Sequence, residues 1–145
     1  MRIHFSNGMR EAISKPSEMK IVKLIDKTIR FVNDNKLLDI PQEMNVRFSQ
    51  FNHKPLKGAW HEYCHTLEIN PLFSLLTETI TVHELVHAEQ YLHGRLTNCK
   101  KTGQMRWKKK SYDDVDYMQL PWEIEAYEKQ AKILQILKDQ KDVSY

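Results

Sequence analysis

His83-Glu84-Leu85-Val86-His87 is the stretch from which the rest of the chain can be read. On a helix turning about 100° and rising about 1.5 Å per residue, His83 and His87 stand about 40° apart and about 6 Å along the axis, so both imidazoles can reach one Zn²⁺. Glu84 falls between them in angle. A carboxylate there can take a proton from metal-bound water and later pass it to a leaving amine. The flanks Ile80-Thr81-Val82 and Ala88-Glu89-Gln90-Tyr91-Leu92 put apolar surface on both sides of the His pair, as a buried helix requires. Asn70-Pro71 predicts an N-cap and first helical position, and Gly94 a C-terminal stop. The bland alternative is a pair of hydrogen-bonded structural histidines.

The 145 residues are the size of one domain, with an apolar fraction of 41% and a charged fraction of 28%, ordinary for a globular chain. No apolar run reaches the length of a membrane span, and Met1 to Gly8 lacks the basic-then-apolar build of a signal peptide. Cys64 and Cys99 are too few for a disulfide framework, which makes a reducing cytoplasm the simplest home. The net charge of +3 does not by itself imply nucleic acid.

Residues 1–16 show no sustained period and suit a short strand or arm closed by Pro16. With Ser17 as N-cap, Val22, Ile25, Ile29 and Val32, widened by Ile21 and Leu24, predict a helix to about Asn35 that covers a sheet. Residues 45–51 read as a strand. A turn-rich piece, 52–58, leads to the alternating run from Ala59 to Ile69, predicted as one strand entering the His-bearing helix. His61 and His65 then share a face, but a strand here more often offers its backbone edge to an extended peptide.

Beyond Gly94, Lys100-Lys101-Thr102-Gly103-Gln104 predicts a hairpin turn and Met105 to Tyr112 its returning strand. The cluster Arg106-Trp107-Lys108-Lys109-Lys110 could hold a phosphate backbone and stack a base; the commoner case is a solvated hairpin with Trp107 packed inward.

A catalytic zinc has three protein ligands and a water, so a third must be found. His93 is one candidate, but on a continuing helix it points about 240° round from His87. Later ligands must be acidic or Cys99, because no His follows position 93. Pro121 opens a C-terminal helix with a predicted apolar stripe through Ala126, Tyr127, Ala131, Leu134 and Leu137. Glu123 belongs to that stripe, whereas Glu125 groups with Glu128, Lys129, Lys132 and Gln135 on the wet face. A buried carboxylate is costly unless compensated, and a metal compensates it. Favourable interaction with the helix dipole would account for either carboxylate, though not for one facing inward.

H-E-x-x-H at 83–87 followed by Glu123-Ile124-Glu125-Ala126, an E-x-E-A setting, resembles the gluzincin type of zinc peptidase, particularly its small single-domain members. In that family the first Glu of E-x-E-A binds zinc, matching Glu123. Tyr127 stands where gluzincins often place an Asp that orients the first His. The chain is also similar in size and layout to SprT-like proteases, which act on DNA-bound proteins, but has neither their later third His nor their Cys-rich zinc ribbon.

The resulting expectation is a single α+β, zincin-like domain over residues 1–145. It has a mainly antiparallel sheet packed with an N-terminal helix, the HExxH helix and a C-terminal helix. Zn²⁺ is expected on His83, His87 and Glu123, with His93 and Glu125 as alternatives. Glu84 is expected as general base and then acid in peptide-bond hydrolysis, and Tyr117 or Tyr112 as oxyanion donor. The expected substrate is a peptide or protein, with no membrane partner. The competing expectation is a catalytically silent zincin-like module that binds nucleic acid or a protein partner through the basic hairpin 100–110.

Overall fold

A computed structural model describes residues 1–6, 15–48, 56–99 and 101–143. The chain is a mixed α+β structure. Strand β1 (Arg2–Phe5) is followed by helix α1 (Lys15–Asp34) and strand β2 (Glu43–Phe48). β3 (Gly58–His61) and β4 (Thr66–Ile69) form a hairpin leading to α2 (Thr77–Leu92), the helix that carries the HExxH residues. Three short strands, β5 (Leu96–Asn98), β6 (Met105–Trp107) and β7 (Lys110–Ser111), precede α3 (Pro121–Val143).

The main sheet has the order β1-β2-β4-β3. β1–β2 and β2–β4 are parallel ladders and only β3–β4 is antiparallel, so the expected mainly antiparallel sheet is corrected to a mixed one. Parallel neighbours need a crossover connection, which α1 supplies between β1 and β2, and the stretch from residue 49 through β3 supplies between β2 and β4. That arrangement follows from pairing the four residues of β1 with β2, which their own pattern does not announce.

Ile21, Ile25, Ile29 and Val32 form the buried face of α1, as the stripe predicts. Helix α1 already spans Ser17, which therefore lies inside it rather than capping it. This face packs into one core with Met44, Val46 and Phe48 of β2, Leu67 and Ile69 of β4, and Ile80, Val82, Leu85 and Val86 of α2. Truncating a fully buried residue such as Ile25 to Ala would cost about 2–5 kcal/mol. Helix α2 is apolar on most sides because helices and sheet enclose it.

The run from Ala59 to Ile69 is not one strand. It folds back through the turn Glu62–Cys64, and His65 adopts a left-handed conformation (φ 43°). The register pairs Trp60 with Leu67, so even-numbered residues of β3 share a face with odd-numbered residues of β4, and the turn switches the parity that a single strand would have kept. His61 and His65 consequently do not share a face: His61 bonds Glu68 at 3.1 Å, and His65 stacks on Trp60. Residues 49–51 of the predicted strand and 52–55 of the predicted turn lie outside the described residues.

Asn70 caps as predicted, accepting from the Leu72 N–H at 3.0 Å, but it opens a separate 3₁₀ segment, Pro71–Leu76, ahead of α2. Gly94 ends α2 with φ 72°; its N–H donates to the Tyr91 carbonyl and that of Arg95 to the Gln90 carbonyl. These two bonds are the closing pattern that a left-handed residue allows.

The expected hairpin return is broken by Lys108 and Lys109, both at positive φ, into β6 and β7; Lys100 lies outside the described residues. Trp107 packs inward with Leu96 and Trp122 in a second small core. On α3, Trp122, Glu123, Ala126, Ile133 and Leu137 are buried, while Tyr127 and Ala131 are exposed, so the inner stripe is rotated from the one predicted. No helix among the described residues is long and apolar enough to cross a membrane.

Candidate metal centre

Helices α2 and α3 pack against each other and bring His83, His87 and Glu123 together, with one donor atom from each within 4.8 Å of the others. Glu123 is 4% exposed, which places its carboxylate in the interior as its position on the helix implied. The His87 Nε2 lies 2.6 Å from Glu123 Oε1 and the His83 Nε2 3.5 Å from Glu123 Oε2. Both imidazoles therefore turn the same nitrogen toward one carboxylate.

Their other nitrogens are also engaged. His83 Nδ1 is 2.7 Å from Gln130 Oε1, and His87 Nδ1 is 2.8 Å from Gln90 Oε1. An amide oxygen only accepts, so each Nδ1 donates its proton and each Nε2 is left to accept a proton or a metal. The Gln90 amide is itself anchored, its Nε2 donating to the Trp122 carbonyl at 2.9 Å. The Tyr127 ring lies 4.7 Å from that of His83, closing its outer side.

This donor set suits zinc: two imidazole nitrogens and one carboxylate oxygen, each histidine oriented through its far nitrogen. The 2.6 Å contact between His87 and Glu123 is a hydrogen bond whose proton occupies the place a cation would take. Burial by itself lowers the His87 pKa, but the Glu123 hydrogen bond and the nearby Glu84 charge push it up to about 9. Burial likewise raises the Glu123 carboxyl, yet hydrogen bonds from His83, His87 and Tyr117 hold it well below the usual carboxylate range.

Glu84 is half-buried beside the pair, and burial raises its carboxyl despite the opposing charges of His87 and His83. Gly58, the first residue of β3, lets the strand approach α2 closely at Ile80, beside Glu84. A Cβ there would stand 2.5 Å from Ile80 Cγ2 and 3.4 Å from Glu84 Cγ.

Of the other candidates, Tyr117 stands beside the centre, its hydroxyl donating to Glu123 Oε2 at 2.7 Å. Tyr112 packs edge-on against Trp122 in the hairpin core. His93 caps α2 and bonds Asp39 at 2.9 Å. It lies in a second acidic group with Asp39 and Glu89, but Glu89 is already held by Lys129 at 2.7 Å and by the Asp39 N–H at 2.6 Å. Glu125 is only half-buried and is bound by Arg95, which corrects its assignment to the wet face without bringing it to the histidines.

Sequence reasoning missed Gln90, Gln130 and Gly58. Gln90 was legible in principle, lying one turn beyond His87 on the same helix; Gln130 was not, because its pairing depends on how α3 docks. Comparison of the chain with protein-family models, with curated proteins and with solved structures found no match.

Proposed function

We propose that this chain is a zinc-dependent metalloendopeptidase of gluzincin type with a zincin-like fold, acting on peptide or protein substrates. The observation that carries the reading is the convergence of His83 Nε2, His87 Nε2 and Glu123, with both Nδ1 atoms held by glutamine amides. Zinc, when bound, would supply the positive charge that acidifies water and polarises a carbonyl.

The chain's own residues do the rest. Glu84, raised by burial, accepts the proton of the attacking water and returns it to the amine of the departing segment. Tyr117 positions the Glu123 carboxylate through its 2.7 Å bond. Strand β3 ends the sheet order and packs against α2, so its outer edge can pair with an extended backbone beside Glu84. Exposed free thiols at Cys64 and Cys99 suit a reducing, cytoplasmic setting.

The test is the Glu84→Gln variant. It should retain zinc at wild-type stoichiometry and lose about 10²–10⁴-fold in cleavage of a denatured protein, the range general base catalysis supplies. Undiminished cleavage would sink the mechanism. A second reading, the silent module, rests on the exposed cations Arg106, Lys108, Lys109 and Lys110. Burial of Trp107 removes the base-stacking half of that reading, leaving only phosphate contacts. Salt-sensitive DNA binding by a chain that loads zinc and cleaves nothing would favour it.

A further inference from the structure

A cleft of about 500 Å³ opens between the β3 hairpin and β5, floored by Tyr91 and walled by Trp60, His61, Glu62, Tyr63 and Leu96. Tyr91 follows Glu84 by seven residues on α2, hence on the same face and about 10 Å farther along the axis. The cleft therefore lies beyond the candidate centre along α2, beside β3, the last strand of the sheet among the described residues.

Among the described residues its lining has one carboxylate, Glu62, and no lysine or arginine. Glu62 is aimed, not loose: its Oε2 accepts from the Trp60 indole N–H at 2.7 Å. The nearest cation candidate to it is His65, whose Nε2 is 3.7 Å from Oε1 on the exposed turn. His61 is held by another carboxylate: its Nε2 is 3.1 Å from the buried Glu68, which also binds Arg47. Trp60 is buried and stacked on His65, so the ring faces that line the cleft for a cation are those of Tyr63 and Tyr91. Burial, with the charge of Glu62 behind it, pushes the Tyr91 hydroxyl up to about 12, so it stays a neutral donor near neutral pH.

We propose that this cleft is a subsite for a cationic side chain, arginine or lysine, of an extended polypeptide, with Glu62 as counter-ion between aromatic walls. The assignment rests on the peptidase reading for its context, but on the cleft for its selectivity. An acidic side chain would meet Glu62 unfavourably, and a neutral one would forgo both the ion pair and the ring contacts.

The experiment uses the full chain carrying Glu84→Gln, loaded with zinc, and four fluorescein-labelled pentapeptides of alanine whose central residue is arginine, lysine, citrulline or glutamate. Fluorescence anisotropy should show the arginine and lysine peptides binding about fivefold to tenfold more tightly than citrulline, with glutamate weakest, as a partly exposed ion pair plus a cation–ring contact allows. Glu62→Gln, which keeps an acceptor for Trp60, should erase the preference, and Glu62→Lys should turn it toward glutamate. Equal affinities, no detectable binding of any peptide, or a preference that survives Glu62→Gln would overturn the subsite. The citrulline comparison decides the matter even if the Glu62 variants fail to fold. Selective binding without turnover by the chain with Glu84 intact would count against the peptidase alone. Turnover indifferent to the central residue would count against the subsite alone.

Discussion

His83 Nδ1 and Gln130 Oε1 meet at 2.7 Å across the packing of α2 on α3, joining residues 47 apart in the chain. The bond sets the tautomer of His83 and aims its Nε2 at Glu123. Gln130→Ala should therefore weaken zinc binding by about 10- to 100-fold, the usual effect of removing a histidine's supporting partner. Competition titration against a chelator measures it; unchanged affinity would mean that His83 is oriented by packing alone.

The ligand set separates three carboxylate and histidine candidates. Glu123→Ala should lose stoichiometric zinc, whereas Glu125→Ala and His93→Ala should keep it, because their partners are Arg95 and Asp39. Metal content by mass spectrometry of the native proteins decides between them. Loss in His93→Ala alone would overturn the gluzincin assignment.

The protonation of the His87–Glu123 pair gives opposite pH trends with and without metal. His87 is raised from 6.5 to about 9, so in the metal-free chain its contribution to stability is complete below pH 6.5 and lost as pH rises through about 9. Glu123 is depressed from 4.5, so its contribution is present above pH 4.5 and lost as pH falls toward its lowered value. Thermal unfolding in chelator should thus show declining stability from pH 6.5 to 9. Zinc must displace the His87 proton, so its affinity should climb over the same interval, by about tenfold per pH unit for one proton released. A flat affinity profile would show that the proton is not where the geometry puts it.

Gly58→Ala probes the approach of β3 to α2. The added methyl would stand 2.5 Å from Ile80 Cγ2 and 3.1 Å from the Glu68 carbonyl oxygen, and the backbone oxygen cannot rotate away. Overpacking of this kind costs about 1–3 kcal/mol. Chemical denaturation should show that loss, and cleavage should fall further as the strand moves off Glu84. Wild-type stability in this variant would mean that β3 and α2 slide apart freely.

Much of the site was legible because helical geometry is local. His83, Glu84 and His87 are placed relative to one another by the pitch of one helix, and Gly94 stops that helix through its own backbone freedom. Glu123 could be singled out as a charge on an inward face, even though the predicted stripe erred in including Ala131 and omitting Ile133.

The sequence by itself determined the HExxH helix, the amphipathic cover α1 and the candidacy of Glu123, since each depends on periodicity within one segment. Only the tertiary structure decided the parallel pairing of β1 with β2, the folding of residues 59–69 into a hairpin, and the partnership of Gln130 with His83. Strand pairing and helix docking join residues distant in the chain. Their energies come from contacts that no single segment contains, so a local pattern restricts them without choosing among them.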